Sequence, residues 1–156
     1  MTKRAQRLFG ALIIVAFAAC SGDSMTGPGG NGPPSVAGDW TYAATNMVGN
    51  LSGFSIVCSF SNVPMSITQS GSTFSGRTTG GDFVCSSAGI TDGGIFGDRI
   101  VVNGELSGGD VEFDFDGPDW HHTGTITGSS MSGTAIAILE ISSGSVVLRG
   151  NWSAAR

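Results

Sequence analysis

Five side chains that can hold or move a proton crowd one stretch of this 156-residue sequence: Asp114, Asp116, Asp119, His121 and His122. Carboxylates and imidazoles at that density could build a metal centre or an acid–base pair, provided that they converge on one point. In an extended strand they do not converge. Neighbouring residues point to opposite faces, so His121 and His122 cannot ligate one ion. Asp114 and Asp116 share the parity of Glu112, as on a solvated strand face. The run from Asp114 to Asp119 also lacks the glycine and terminal glutamate that a calcium loop places at set positions. It reads as a charged hairpin turning at Gly117-Pro118, and no metal site is expected. His122 shares parity with Trp120 and Ile126, which aims it inward, toward either a ligand or the backbone. Tyr42, Trp120 and His122 are therefore the candidate ligand-binding residues.

Other chemistry is sparse. No serine lies in a G-x-S-x-G elbow, and no glycine run has the spacing of a phosphate-binding loop. With two histidines, and no lysine after Lys3, general bases and nucleophilic amines are few. Neither catalysis nor a cofactor is expected. Three cysteines remain: Cys20, Cys58 and Cys85.

Cys20 follows a segment with its own logic. Met1 to Arg7 carries Lys3, Arg4 and Arg7 without an acid, and Leu8 to Ala19 is an apolar or small run of 12 residues. That is the n-region and h-region of a secretory signal. A permanent span needs about 20 apolar residues, so the run is too short to be one. Phe17-Ala18-Ala19-Cys20 resembles the lipobox of bacterial lipoproteins, with Phe17 where that family prefers an aliphatic residue. The resemblance implies removal of residues 1–19 and attachment of a diacylglycerol to the Cys20 thiol. The rival is an ordinary signal cut after Ala16-Phe17-Ala18, which fits the small-x-small pattern. Acyl chains at about 0.8 kcal/mol per buried methylene would anchor the chain to a membrane. Ser21 follows the cysteine, where an aspartate would favour inner-membrane retention; this places the protein at an outer membrane where one exists.

If Cys20 is lipidated, Cys58 and Cys85 form an even pair in an oxidising compartment, for which a disulfide is the default. A redox or metal pair is the alternative, without the close spacing of C-x-x-C. From Cys20 on, four arginines face 12 acids, a net charge of −8. That charge repels phosphate backbones, which argues against nucleic acid as a partner.

These residues need elements to position them. Residues 20–35, from Cys20 through SGDSMTGPGGNGPPS, form a lipidated cysteine and a flexible Gly/Pro/Ser tether. Patterned sequence fills 36–156, enough for one core. Phe54, Ile56, Cys58 and Phe60 share one parity; Val111, Phe113 and Phe115 alternate with Glu112, Asp114 and Asp116. Ile100, Val102 and Leu106 alternate with Val101, Asn103 and Glu105, and Val146, Leu148 and Trp152 with Arg149, Asn151 and Ser153. Period two with one polar face predicts antiparallel strands. Turns are expected at Gln69-Ser70-Gly71-Ser72, Gly80-Gly81, Gly93-Gly94, Gly108-Gly109, Gly128-Ser129-Ser130 and Ser142-Ser143-Gly144. The expected fold is all-β, a single antiparallel up-and-down barrel of about eight to ten strands, with a β-sandwich as the alternative. Inward aromatics are expected at Trp40, Tyr42, Phe54, Phe60, Phe74, Phe83, Phe113, Phe115, Trp120 and Trp152.

Gly38-Asp39-Trp40 resembles the G-x-W that opens the first strand of lipocalins and avidins, and Gly150-Asn151-Trp152 repeats it near the end. The resemblance implies a barrel whose first tryptophan closes one end and whose last strand neighbours the first. No ligand carries over. Two functions follow: a membrane-anchored barrel binding a small apolar ligand, or a structural or protein-interaction module of the envelope with a filled core.

Overall fold

The computed structural model describes residues 34–156 apart from 117–118 and 142–143. The expected signal, Cys20, the expected tether through residue 33, and the turns expected at Gly117-Pro118 and Ser142-Ser143 lie outside the described residues. Ten strands account for the rest: β1 (Gly38–Leu51), β2 (Phe54–Ser70), β3 (Thr73–Thr78), β4 (Asp82–Ser87), β5 (Ile90–Ile95), β6 (Arg99–Ser107), β7 (Asp110–Phe115), β8 (Trp120–Thr127), β9 (Ser130–Ile141) and β10 (Gly144–Ala155).

All pairings are antiparallel, and they close. Starting at β1, the order β10, β9, β8, β7, β6, β3, β2 returns to β1, since β1 pairs with both β10 and β2. This is an eight-stranded barrel. The up-and-down order holds except for one insertion. β2 is long enough to serve two partners on one edge, β3 along Met65–Ser70 and β4 along Ile56–Ser61. The β4–β5 hairpin therefore hangs off the ring as a flap. The Cys58–Cys85 disulfide joins its root to β2, at directly opposed positions whose Cα atoms are 4.0 Å apart.

Why the chain closes is visible in its alternation. Inward positions are apolar: Tyr42, Val63, Met65, Val101, Val111, Phe113, Phe115, Met131, Leu148 and Trp152 are all buried. Outward positions on β8 to β10 include the exposed Thr123, Thr125, Ser132, Thr134, Asn151 and Ser153, with Ile136, Ile138 and Val147 as apolar exceptions. This is the inverse of a membrane-spanning barrel, whose apolar face looks out.

Three asparagines break the strict parity. Asn46, Asn62 and Asn103 have φ of 51°, 52° and 52°, the left-handed region that asparagine enters more readily than most residues. The registers of β1 and of β6 against β7 shift at Asn46 and Asn103, the signature of β-bulges. The expected parity of β6 is corrected accordingly. Val101 points inward and Ile100 outward, and after Asn103 the phase resets so that Leu106 is buried. Gly93-Gly94 is also not a turn. It lies inside β5, and the reversal occurs at Ala88-Gly89, whose φ values of 49° and 82° make the two-residue turn that matches strand twist.

One pole is stitched by the two ends of the described chain. The Trp40 indole donates to the Val36 carbonyl at 2.8 Å, and the Arg156 guanidinium lies 4.4 Å above the Trp40 ring. Arg156 also donates to the carbonyls of Ala37 at 2.6 Å and Ser35 at 3.1 Å.

In the wall, Gly124 and Gly133 face each other across β8 and β9, under Trp152. A Cβ on Gly133 would collide with the Thr123 carbonyl, and one on Gly124 would stand 2.9 Å from Trp152 Cζ2. Gly133→Ala is therefore expected to lower unfolding free energy by about 3 kcal/mol through overpacking. Ser132→Ala, on the adjoining exposed position, is expected to stay within about 0.5 kcal/mol. Equal urea midpoints for the two variants would refute the close approach.

Candidate functional site

Two of the three candidate residues meet inside the barrel. Tyr42 enters from β1 and His122 from β8, and both are fully buried. Tyr42 Oη lies 2.9 Å from His122 Nε2. Aromatic rings enclose the pair: Phe113 stacks on the imidazole at 4.3 Å and 2°, Phe115 meets it edge-on at 4.8 Å, and Trp152 does so at 5.7 Å. The lining is the direct product of alternation on β1, β7, β8 and β10.

This enclosure sets the protonation state. Burial pushes the Tyr42 phenol far above its ordinary range, so it keeps its proton. Burial also lowers His122 to about 3, against the carbonyls of Phe113 and Trp120 that favour a proton on the ring. The imidazole is thus neutral, and Tyr42 O–H donates to Nε2. The remaining proton then sits on Nδ1, which is buried near the Phe113 and Trp120 carbonyls but within full hydrogen-bond geometry of neither.

Trp120 stands apart from this pair. It packs against Phe60 at 4.9 Å and Phe96 at 5.3 Å, near the root of the flap, and its buried Nε1 also lacks a partner. Phe96, absent from the expected inward set, is buried, whereas Phe54, included in it, is 59% exposed. Phe96 follows β5 without any alternating context, so periodicity could not have found it. Phe54 carries the inward parity but sits at the β1–β2 turn, beyond the packed interior.

His121 points outward, as its parity predicts. Its Nδ1 is 2.8 Å from Asp114 Oδ1 and its Nε2 is 3.6 Å from Glu112. Partial burial raises the Asp114 carboxyl, but contacts from Asn103 and His121 outweigh this and hold it below the usual carboxylate range. Among the described residues, no three such groups converge on a metal-sized site. The cluster is an exposed charge network in high dielectric, worth little to stability.

The second feature is an edge. Among the described strands, β5 alone has a single partner along its whole length. Every residue from Ile90 to Ile95 is exposed, with Ile90 at 73% and Ile95 at 76%. Exposed Val84, Val57 and Val48 extend the Ile95 face across β4, β2 and β1, whereas Ile90 and Phe54 lie on the opposite face.

Comparison with protein-family models, curated proteins and solved structures finds no match. Function must therefore be argued from the aromatic-lined interior and the open edge alone.

Proposed function

We propose that this chain is an exported, lipid-anchored module of a bacterial cell envelope that acts through what its surface contacts rather than what its interior holds. One observation carries this reading: Tyr42 and His122, the polar groups that a ligand inside the barrel would need, are hydrogen-bonded to each other and enclosed by rings. An eight-stranded barrel is only just wide enough for side chains to fill, and here aromatic side chains occupy it.

The anchor rests on the lipobox-like Phe17-Ala18-Ala19-Cys20 and on the tether that follows it. Such a tether would join the barrel at the stitched pole, where Val36 and Arg156 lie. Phe54 and the β4–β5 turn lie at the other end of β1, about 40 Å along the strand. In an organism with an outer membrane, that membrane is the proposed site, with an envelope protein as partner.

A second reading, a small apolar ligand held in the barrel, draws on the buried, unpartnered Trp120 Nε1 and His122 Nδ1. Native mass spectrometry of the full protein purified from its own membranes separates the two. The first reading expects an acylated chain beginning at Cys20 with no small molecule attached. A stoichiometric co-purifying ligand would establish the second, and a mass without acyl chains would remove the anchor from both.

A further inference from the structure

We propose that β5 is an acceptor edge for an extended, basic–apolar segment of a partner protein, which adds to the sheet as an eleventh strand. This deepens the interaction-module reading and rests on it.

The backbone pattern follows from the turn. Ala88 and Gly89 form a two-residue loop, so Ser87 and Ile90 exchange both of their backbone hydrogen bonds. Ile90, Asp92 and Gly94 then direct their N–H and C=O groups to β4, and Thr91, Gly93 and Ile95 direct theirs away from the sheet. Phe96 agrees with this phase, since its N–H donates back to the Gly81 carbonyl at 2.8 Å. Gly93 agrees as well. Its N–H has no strand partner and is met instead by the side chain of Asp92, at 2.9 Å.

Sheet edges are commonly guarded by lysine, proline, a bulge or a covering loop. β5 reads Ile-Thr-Asp-Gly-Gly-Ile and, among the described residues, has none of these. Its one guard is the Asp92 carboxylate, which a cation on an incoming strand can draw off Gly93. Two glycines leave the rim low enough for another backbone to approach.

Charge chooses the occupant. Asp92 lies on the edge, and Asp82, opposite Ile95, and Asp98 lie near it; the cations nearby are Arg77, 3.7 Å from Asp98, and Arg99, held over the Phe96 ring. A second copy is disfavoured. Pairing two β5 strands in register with the outward groups, about Gly93, brings both Asp92 carboxylates to one face of the seam. An incoming strand with lysine or arginine on the Asp92 face and aliphatic residues on the Ile95 face meets both requirements.

The test uses the full chain with two synthetic decapeptides, one alternating valine and lysine and one alternating valine and glutamate. The lysine peptide is expected to bind at least tenfold tighter and to slow amide exchange at Thr91, Gly93 and Ile95. Thr91→Pro removes an outward N–H without touching the β4 ladder and should abolish binding, with circular dichroism unchanged. Asp92→Lys should reverse the preference toward the glutamate peptide. Binding that survives Thr91→Pro, or no binding of either peptide, overturns the proposal. A dimer that Thr91→Pro dissolves overturns it in favour of self-pairing while leaving the interaction-module reading intact. That broader reading fails separately, on the mass-spectrometric result above.

Discussion

The full chain is expected to lose about 1.4 kcal/mol of unfolding free energy for each pH unit below 6.5, until roughly pH 3. The source is His122, fully buried and lowered to about 3 by that burial. An unfolded histidine takes up a proton near pH 6.5, whereas the folded one refuses it until about 3. Between these values the unfolded state binds more protons, so stability is complete above the window and declines as pH falls through it. Summed over the window, the loss is about 5 kcal/mol, comparable to the whole stability of a small domain. Urea midpoints at pH 7, 5.5 and 4 measure it. His122→Gln, which cannot titrate, is expected to start lower at pH 7 and then change little down to pH 4. If the variant shows the same slope as the parent, the acid sensitivity belongs to carboxylates and not to His122.

The second large effect concerns the flap. The disulfide closes a sequence separation of 27 residues, worth about 3.5 kcal/mol on the chain-entropy model. The ring of eight closes without β4 or β5, so the loss should not fall evenly. In the Cys58→Ser/Cys85→Ser double variant, amide exchange within residues 82–95 is expected to accelerate on the order of a hundredfold. β7 to β9, paired on both sides within the ring, should accelerate much less. Uniform acceleration across all strands would show that flap and ring unfold as one unit.

How much of this was legible depended on local regularity. The β7–β8 hairpin was fully readable because Val111, Phe113, Phe115, Trp120 and His122 keep strict period two with no bulge between them. The cysteine pairing followed from counting, since setting Cys20 aside leaves Cys58 and Cys85 as an even pair. The failures sit where asparagine slips into the left-handed region: Asn103 resets the phase of β6, and a one-residue reset exchanges faces for everything beyond it. Gly93-Gly94 misled for the opposite reason, since glycine marks turns but also suits an open rim. His122 was identified as inward, but its meeting with Tyr42, 80 positions away, depends on ring closure that periodicity does not encode.

The β1–β2 ladder has a mechanical consequence. β1 is flanked along most of its length, by β10 through Val48 and by β2 from Gly38 to Leu51. A pull between residue 34 and a strand held on β5 would run through β1 into β2, then across the Cys58–Cys85 covalent bond into the flap. The first of these joints is loaded along its length, so its hydrogen bonds resist together rather than opening one at a time. The covalent bond reinforces the shorter β2–β4 joint, and the Ala88-Gly89 turn carries the load covalently from β4 to β5, leaving the pairing of β5 with its incoming strand as the link that yields under tension.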